Sequence, residues 1–353
     1  MRSLAIDARA ALVPHPTGKG QWLRGFLREL LTRDCDVTIL ADGPVPPSWQ
    51  RAGVEHRIFA AGPFWHLRAA RFLRQNRDRV VYFSPTSFLV PFLVGRTVPT
   101  VPLVHDLIAF LGEPHDRKAT VLEHLTLGRT LRTAAAVCTI SEATKNALLS
   151  RFPALPPRRI AVISAGPSEA NPPLHTSDQR SILTVGTLCP RKNQLRLIQA
   201  FALLPDAVRR PFRLIIAGGR GWHDQTIVDA AASTPGVEWL GYVTDQHYHD
   251  LLRTCHVFAF PSLEEGFGLP VLDALQRGIP VLTSTRGGLT EVAGKAALTV
   301  DPEDTGALCR GLLTLLRDAE LRERLRRLGP EQARKFSWKN TVGLFLKAVQ
   351  PLL

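Results

Sequence analysis

The stretch PSLEEGFGLPVLDAL, residues 261–275, places carboxylates and glycines ahead of an apolar helical pattern. Gly268 favours a turn and Pro270 suits the first turn of a helix, which explains the fold of the stretch but not Glu265. A helix start presents unpaired N–H groups and a positive dipole end, where a phosphate fits. Asp273, about one turn inside the helix, could then accept hydrogen bonds from hydroxyls of the same ligand. The stretch predicts half of a sugar-nucleotide site.

Composition sets the broad class of the chain. With 353 residues, of which 45% are hydrophobic, the chain is long enough for two domains of ordinary size. Its 44 basic and 31 acidic residues give a net charge of +13. A basic balance suits nucleic acid, an anionic membrane or an acidic substrate. Because no aromatic-basic nucleic-acid motif occurs, we expect no nucleic-acid partner.

Cysteine use and hydropathy bear on location. The five cysteines are scattered and form no C-x-x-C pair, which argues against a disulfide framework or a zinc site and favours a reducing compartment. The first residues are too polar for a signal peptide, and the most apolar run is broken by Pro85 and Pro91. We therefore expect a cytoplasmic protein without a transmembrane helix.

Strand-like runs alternate with helical patterns along the whole chain, as in open parallel sheets. A proline-rich polar segment interrupts the alternation, which then restarts. The pattern predicts an α/β protein with two doubly wound, Rossmann-like domains facing across a cleft. The predicted parts are a first domain at 1–165, a linker at 166–180, a second domain at 181–336, and a C-terminal helix at 337–353 that returns to the first domain.

The second half carries a series of motifs in order: VGTLCPRKNQ, IIAGGRGW, GYVTDQHYHDLLRTCHVFAFPSLEEGFGLPVLDA, GGLTEVAGKAALTVDPED and FSW. Together they resemble the second domain of retaining glycosyltransferases of family 4, which have the GT-B fold. Glu265 and Asp273 align with the E-x7-E signature of that family, although the second position is normally a glutamate. The resemblance implies that Asp273 holds the ribose hydroxyls of the nucleotide and that Glu265 contacts the donor sugar near its reacting carbon.

The residues around Lys192 are the expected contacts of the donor diphosphate. Lys192 follows a strand and a Gly186 turn at a helix start, where an ammonium suits a diphosphate, although a solvated surface lysine fits the same pattern. The resemblance favours the binding role and adds Arg191 as a helper, with Thr187 where the family often has arginine. The full predicted diphosphate set is Gly18, Gly20, Thr187, Arg191, Lys192, Gly268 and Leu269.

The first half resembles the family at fewer points. The segment TGKG, residues 17–20, resembles its glycine-rich loop facing the donor phosphates, and it is not a Walker P-loop because Gly20 stands where Ser or Thr is required. His105 follows a strand and, by the resemblance, lies beside the transferred sugar, whereas a buried structural histidine is the simpler interpretation. Secondary candidates for ligand contact are Asp106, Ser141, Lys145 and Phe267, of which Ser141 is most simply a helix N-cap and Lys145 a surface residue.

Two patterns typical of metal sites are set aside. Asp34-Cys35-Asp36 has the D-x-D form of metal-dependent glycosyltransferases, but it precedes a strand and so lies at the end of the sheet opposite the cleft. His247 and His249 have no third ligand at a suitable spacing. We expect no metal and no cofactor.

The segment FWHLRAARFLRQNRDR, residues 64–79, places four arginines along one side of a helix and aromatic and aliphatic residues largely on another. An ordinary packed helix with a solvated basic face is the favoured interpretation. The alternative is peripheral contact with an anionic membrane at its inner face, which would suit an enzyme that extends a lipid-linked acceptor.

The sequence therefore predicts a metal-independent, retaining glycosyltransferase of polysaccharide biosynthesis. We expect it to transfer a hexose, with mannose favoured, from a nucleotide diphosphate sugar, with GDP-mannose favoured over a UDP-sugar, to a saccharide or lipid-linked acceptor. The alternatives are a sugar-nucleotide epimerase of the same fold and a non-catalytic basic binding protein.

Overall fold

A computed structural model describes residues 2–111, 117–172 and 174–353, with the backbone alone for 117–119. Residues 112–116 of the predicted first domain and residue 173 of the predicted linker lie outside the described residues. The chain divides into two compact units. Unit 1 contains residues 2–111, Arg117–Gly166 and Ser337–Leu353, and unit 2 contains Pro167–Phe336.

Unit 1 is built, within the described residues, on a seven-stranded parallel sheet of order β3-β2-β1-β4-β5-β6-β7. Its strands are β1 Ser3–Asp7, β2 Val37–Ala41, β3 Val54–Ile58, β4 Val80–Ser84, β5 Thr100–Val104, β6 Val137–Thr139 and β7 Ile160–Val162. Strands β2, β4 and β5 are buried along their whole length. Continuous apolar runs of this kind are expected where helices cover both faces of a parallel sheet.

The helices of unit 1 pack their aromatic side chains against this sheet. They are α1 Arg9–Leu12, α2 Gly18–Leu30, α3 Trp65–Gln75, α4 Leu89–Val94, α5 Arg117–Thr133, α6 Glu142–Arg151 and α15 Trp338–Val349, with 3-10 turns at Pro47–Trp49, Gly95–Thr97, Ile108–Phe110, Pro157–Arg159 and Gln350–Leu352. Phe345 of α15 lies 5.1 Å from the ring of Phe26 on α2 and 4.4 Å from that of Phe83 on β4. The end of the chain is thereby part of the core of unit 1.

Unit 2 is built, in the part of the chain that is described, on a six-stranded parallel sheet of order β10-β9-β8-β11-β12-β13. Its strands are β8 Ser181–Val185, β9 Arg213–Ala217, β10 Val237–Gly241, β11 Val257–Phe260, β12 Val281–Ser284 and β13 Leu298–Val300. The strand order reverses between β8 and β11. The carboxyl ends of neighbouring strands at such a point are where open α/β sheets bind ligands.

The helices of unit 2 cover both faces of its sheet. They are α7 Gln194–Ala202, α8 Asp206–Arg209, α9 Gln225–Ser233, α10 Asp245–Thr254, α11 Leu269–Gln276, α12 Leu289–Ala293, α13 Thr305–Arg317 and α14 Ala319–Ala333, with a 3-10 turn at Pro190–Lys192. One apolar core joins α7, α9 and α13 to the strands through residues such as Phe201, Ile227 and Leu312. Among the described residues, no helix of the chain combines the length and apolar character needed to cross a bilayer.

The predicted fold class is confirmed: both units are doubly wound α/β sheets. Two strands were not predicted, β3 and β13, and both lie at the edge of their sheet. The residues of β3, VEHRI, are mainly polar because the strand is largely solvent-exposed, so its pattern lacks the apolar run of a central strand. Helix α2 begins at Gly18, whereas the sequence predicted a loop at residues 17–20.

Candidate active site

Three charged side chains meet at the carboxyl ends of β8 and β11 in unit 2. The Nζ of Lys192 donates to Oε1 of Glu265 at 2.6 Å, and Nη1 of Arg191 donates to the same oxygen at 2.7 Å. All three side chains are largely buried. The predicted residues Arg191, Lys192 and Glu265 are thus brought together, and their contact was not predicted from the sequence.

The ionisation of this cluster follows from burial and from the mutual contacts. Burial lowers the pKa of the Lys192 ammonium below its usual value, although Glu265 opposes the effect. Burial alone would raise the pKa of Glu265, but Lys192 and Arg191 outweigh it and hold the carboxyl pKa below its usual value. Glu265 is therefore ionised at neutral pH, and two cations facing one carboxylate leave the cluster with an excess of positive charge.

A glycine and an asparagine in the β8–α7 connection determine the position of Lys192. Gly186 has φ = 131°, and a Cβ there would lie 3.3 Å from Cε of Lys192, so a larger residue would press on the lysine stem. Asn193 has the left-handed φ of 62°, and its side-chain amide donates to the carbonyls of Pro261 and Pro302 at 3.0 and 2.7 Å. These contacts fix the turn that presents Lys192.

Backbone hydrogen bonds hold Glu265 in front of α11. Nη1 of Arg191 also donates to the carbonyl of Glu264 at 2.7 Å, and the Gly288 N–H donates to the carbonyl of Glu265 at 2.8 Å. The helix then begins at Leu269 after Gly268, which has φ = 106° and provides no side-chain cap. At the helix start, Pro270 has no N–H, and the Val271 N–H already donates to the carbonyl of Gly268 at 3.0 Å. A diphosphate contact through Gly268 and Leu269 stays a prediction.

The remaining predicted residues near α11 have different environments. Thr187 is exposed. Phe267 is buried, and its ring packs against that of Phe336 at a centroid distance of 5.4 Å. A ligand contact through Phe267 stays a prediction.

Asp273 is not the open acceptor that the sequence suggested. It is only 2% exposed, and both of its oxygens are already engaged. Oδ1 accepts from the Ser168 N–H at 2.8 Å, and Oδ2 accepts from the hydroxyls of Ser168 at 2.8 Å and Tyr248 at 3.0 Å. Burial raises the pKa of Asp273 although these donors oppose it. The shorter side chain keeps the carboxylate within unit 2, behind two hydroxyls.

Ser168 and Tyr248 were not predicted from the sequence, and neither were the contacts that surround them. Nη2 of Arg277, the residue that follows α11, meets the carboxylate of Glu169 and lies 3.0 Å from Nδ1 of His249. Ser168 falls in the predicted linker, and Tyr248 lies between His247 and His249, which were considered only as metal ligands. The signal available in the sequence was the replacement of glutamate by aspartate at 273, because a shorter carboxylate must find nearer partners.

In unit 1, His105 follows β5 and is buried. Its Nε2 lies 2.8 Å from the carbonyl of Pro85 and therefore carries the proton, which leaves Nδ1 as an acceptor. Burial lowers the pKa of His105 to about 4, Lys19 adds to the effect, and the Pro85 carbonyl and Asp106 oppose it. His105 is neutral at physiological pH. Its contact with the Pro85 carbonyl fits a buried structural histidine, and a contact with the transferred sugar stays a prediction. Asp106 accepts from the Ile108 N–H at 3.2 Å.

Ser141 is the N-cap of α6, as the simpler interpretation held. Its Oγ accepts from the Thr144 N–H at 3.0 Å, and the residue is fully buried. Nζ of Lys145 lies 3.3 Å from the carboxylate of Glu142 on the same helix. A donor or acceptor contact by either residue stays a prediction.

The two glycines of TGKG form the first turn of α2. Gly18 is exposed and has open space where a side chain would lie. Gly20 is buried, and a Cβ there would overlap the carbonyl of Ala10. The predicted loop is therefore corrected to a helix start in which Gly20 serves close packing against α1, while Lys19 lies 3.7 Å from Glu123.

Neither of the two metal-like patterns forms a ligand group. Asp34 and Asp36 are exposed before β2, and His249 contacts Arg277. Across the described ranges, no group of three or more His, Cys, Asp or Glu side chains is arranged to hold a metal ion.

The fold is that of the GT-B glycosyltransferases. A family model described as Glycosyl transferases group 1 matches residues 168–332, and one described as Glycosyltransferase Family 4 matches residues 16–167. The chain is 34% identical over 289 residues to the O-antigen chain mannosyltransferase B of Escherichia coli, covering 77% of this chain and 74% of that protein. The chain belongs to this glycosyltransferase family and is an enzyme of that class.

More distant similarities support the same fold. The chain is 32% identical over 177 residues to the serotype-specific mannosyltransferase WbdA of Escherichia coli, which covers 49% of this chain but 22% of that longer protein. A crystal structure of Anabaena Alr3699/HepE in complex with UDP and glucose matches 99% of this chain and 100% of that chain with a TM-score of 0.76 at 16% identity. Sucrose-phosphate synthase from Thermosynechococcus elongatus matches 100% and 99% with a TM-score of 0.77 at 17% identity.

Proposed function

We propose that this glycosyltransferase transfers a hexosyl group, mannosyl in the first instance, from a nucleotide diphosphate sugar to a hydroxyl of a saccharide or lipid-linked acceptor. The observation that carries the proposal is the cluster of Lys192, Arg191 and Glu265 in front of the glycine-opened start of α11. The mannosyl group rests on relatives named as mannosyltransferases, and we propose GDP-mannose as the donor that would carry it.

The charge of the leaving diphosphate is the main demand on catalysis. Lys192 uses one of its three ammonium protons on Glu265, so the others can meet phosphate oxygens. Arg191 and the positive dipole end of α11 are proposed to add further stabilisation of the diphosphate. These groups supply the charge stabilisation that a metal ion supplies in other transferases, and we propose transfer without a metal.

Glu265 is proposed to act on the donor sugar. Its carboxylate is held by two cations and stays ionised, so it suits a group that stabilises positive charge at the anomeric carbon and positions the sugar. The proposed outcome is retention of configuration by attack on the face from which the diphosphate leaves, with the acceptor proton passing to a phosphate oxygen. Glu265 acts as a stabiliser in this scheme and not as a nucleophile.

The proposed place of action is the cytoplasm, with peripheral contact at an anionic membrane through residues 64–79. Helix α3 buries Trp65 and Leu73, while Arg68, Arg71 and Arg74 are exposed. Two apolar residues on the outer side are also open to solvent, Phe64 at 61% and Leu67 at 52%. Basic side chains next to exposed apolar ones are typical of a surface that lies on a bilayer.

A panel of nucleotide sugars tests the proposal. The protein is incubated with GDP-mannose, GDP-glucose, UDP-glucose and UDP-galactose without acceptor, and thermal stabilisation and slow release of free sugar are measured. We expect the largest stabilisation and hydrolysis with GDP-mannose. If only a UDP-sugar binds and is hydrolysed, that UDP-sugar and not GDP-mannose is the donor. If none of the four compounds stabilises the protein or is hydrolysed, the proposal is contradicted.

A further inference from the structure

Arginines precede five neighbouring strands of unit 1. Strands β1, β4, β5, β6 and β7 lie side by side in that order. An arginine stands shortly before each of them, and in the same order these are Arg2, Arg77, Arg96, Arg132 and Arg159. Because neighbouring strands are about 4.8 Å apart, the five strands span about 19 Å. The fold therefore collects five guanidinium groups at the amino ends of the strands.

These five arginines line one surface cavity, which we call the arginine cavity. Its volume is about 510 Å³, within the size range of small-molecule sites. Asp78 is the one acidic side chain among the described residues that line it, so the lining carries an excess of four positive charges. Asp78 itself is exposed and lies 3.6 Å from Nε of Arg77. Positive charge that the protein does not balance attracts an anion to such a cavity.

Contacts within the fold account for two of the arginines but not for all of them. Nη1 of Arg2 donates to the carbonyl of Leu352 at 3.1 Å, and Nη2 of Arg159 donates to the carbonyl of Ala134. In contrast, no hydrogen bond or ion pair joins Arg96 or Arg132 to any residue that the structure describes. Both side chains are exposed, so their guanidinium groups are accessible to a ligand.

The arginine cavity is separate from the cluster proposed to bind the donor. The amino ends of parallel strands lie at the opposite end of the sheet from the carboxyl ends, where His105 follows β5. The residues that line the cavity all belong to unit 1, whereas Lys192 and Glu265 belong to unit 2. An anion in the cavity would therefore occupy a second site.

The chemistry of arginine indicates which anion fits. A planar guanidinium can donate two parallel hydrogen bonds to two oxygens of one phosphate group. Guanidinium groups that precede successive strands can contact successive phosphate groups of one molecule. We propose that the arginine cavity binds a small molecule that carries two or more phosphate groups. Such a ligand would be distinct from the donor nucleotide.

Pyrophosphate and inorganic triphosphate are the probes that test this proposal. Calorimetric titrations are run on the wild type, on the pair Arg96→Ala and Arg132→Ala, and on Lys192→Ala. Since pyrophosphate also suits the proposed donor site, we expect two classes of site in the wild type. The arginine pair should weaken one class by at least about 10-fold, the effect of losing one charge-assisted hydrogen bond, and Lys192→Ala should weaken the other. Triphosphate should bind the arginine cavity more tightly than pyrophosphate, because it can contact more guanidinium groups.

Matched variants separate ligand binding from a structural role and from net charge. The pair Arg324→Ala and Arg327→Ala removes the same charge at exposed positions of α14 and should titrate as the wild type. The pair Arg96→Lys and Arg132→Lys keeps the charge but loses the planar fork, so its affinity should lie between those of the wild type and the alanine pair. A merely structural role would lower the melting temperature of the alanine pair and leave both classes of pyrophosphate site unchanged.

The outcomes distinguish this proposal from the proposed function. If Lys192→Ala removes all pyrophosphate binding and the arginine pair removes none, the arginine cavity is not an anion site, and the proposed function stands. If only the arginine pair weakens binding, the arginine cavity is supported and the donor site is contradicted. An equal loss in the Arg324 and Arg327 pair would overturn the inference, because net charge would then explain it.

Vesicles of phosphatidylglycerol and phosphatidylcholine test a lipid source of the phosphate groups. We expect the alanine pair at Arg96 and Arg132 to cosediment with them as the wild type does. If the pair loses vesicle binding, and pyrophosphate and triphosphate bind no site that depends on these arginines, the row of arginines is a membrane surface and the inference is overturned.

Discussion

Lys192 and Glu265 are joined by a 2.6 Å hydrogen bond between Nζ and Oε1, at the start of the loop that leads into α11. Arg191 donates to the same oxygen, so the carboxylate keeps two like charges close together in a largely buried place. Two cations that one carboxylate already holds together are prepared for an anion, because little reorganisation is needed when the anion binds.

Replacing Lys192 by alanine should weaken the binding of the diphosphate. We expect Lys192→Ala to raise the dissociation constants of GDP and of GDP-mannose by about 10- to 100-fold, because a charged hydrogen bond is lost, and to affect GMP less. Calorimetry with the three ligands checks this. Lys295→Ala, at an exposed lysine of unit 2, is the control and should bind all three normally. Equal binding by Lys192→Ala and the wild type would make Lys192 a structural residue.

Replacing Glu265 by glutamine keeps the shape of the side chain and removes its charge. We expect saturated turnover to fall by at least about 100-fold, because the lost interaction forms mainly as charge develops on the sugar. Affinity for GDP should not fall, since Lys192 and Arg191 are released from their carboxylate partner. Saturated rates and calorimetry measure the two effects separately. A variant that loses GDP affinity but keeps its turnover would assign Glu265 to nucleotide binding.

Chelation of divalent metals should leave the activity intact. The diphosphate is proposed to be stabilised by Lys192, Arg191 and the start of α11, so transfer should continue at an unchanged rate in excess EDTA. Initial rates with and without EDTA, and after addition of magnesium or manganese, check this. Activity that EDTA abolishes and manganese or magnesium restores would contradict the proposed metal-independent transfer.

Stability should decrease in mild acid because His105 is buried in its neutral form. Burial lowers the pKa of His105 from 6.5 to about 4. Above pH 6.5 neither state is protonated at this group, so its contribution is fully present there. Between pH 6.5 and about 4 the unfolded chain binds a proton that the folded chain does not, and up to about 3 kcal/mol is lost.

Denaturant titrations at several pH values test this contribution. We expect the unfolding midpoint of the wild type to fall steadily from pH 7 to pH 4.5, and the fall to be smaller in His105→Gln. His256→Gln is an informative companion, because burial also lowers the pKa of His256 to about 4. An identical pH dependence in His105→Gln and the wild type would show that the group does not contribute.

The sequence predicted the central elements of the fold well because they are buried. Strands such as β4 and β11 are runs of almost entirely apolar residues, a pattern typical of a buried parallel strand or a buried helix. The edge strand β3 escaped prediction because solvent on its outer side permits Glu55, His56 and Arg57. An apolar run in the sequence therefore indicates that a strand is buried, and an exposed strand gives no such signal.

The sequence could predict site residues whose position follows from their neighbours in the chain, but not contacts between residues far apart in the chain. Lys192 and the start of α11 could be placed because each lies directly after a strand or at a helix start. The pairing of Arg191 with Glu265 depends on contacts 74 residues apart, and Ser168 meets Asp273 across 105 residues. Periodicity carries no information about such distances, so the position of the Asp273 carboxylate could be learned only from the folded chain.

The exposed arginines of α3 should determine whether the protein binds an anionic membrane. Arg68 and Arg71 are exposed beside Phe64 and Leu67, so the pair Arg68→Glu and Arg71→Glu should abolish binding to vesicles of phosphatidylglycerol and phosphatidylcholine. Cosedimentation at about 0.1 M salt measures this binding. The pair Arg324→Glu and Arg327→Glu makes the same charge change at exposed positions of α14 and should leave binding near the wild-type level. A wild type that does not bind these vesicles would reject α3 as a membrane-binding surface. An equal loss of binding in both double variants would reject it too, because the net charge of the protein would then account for the attraction.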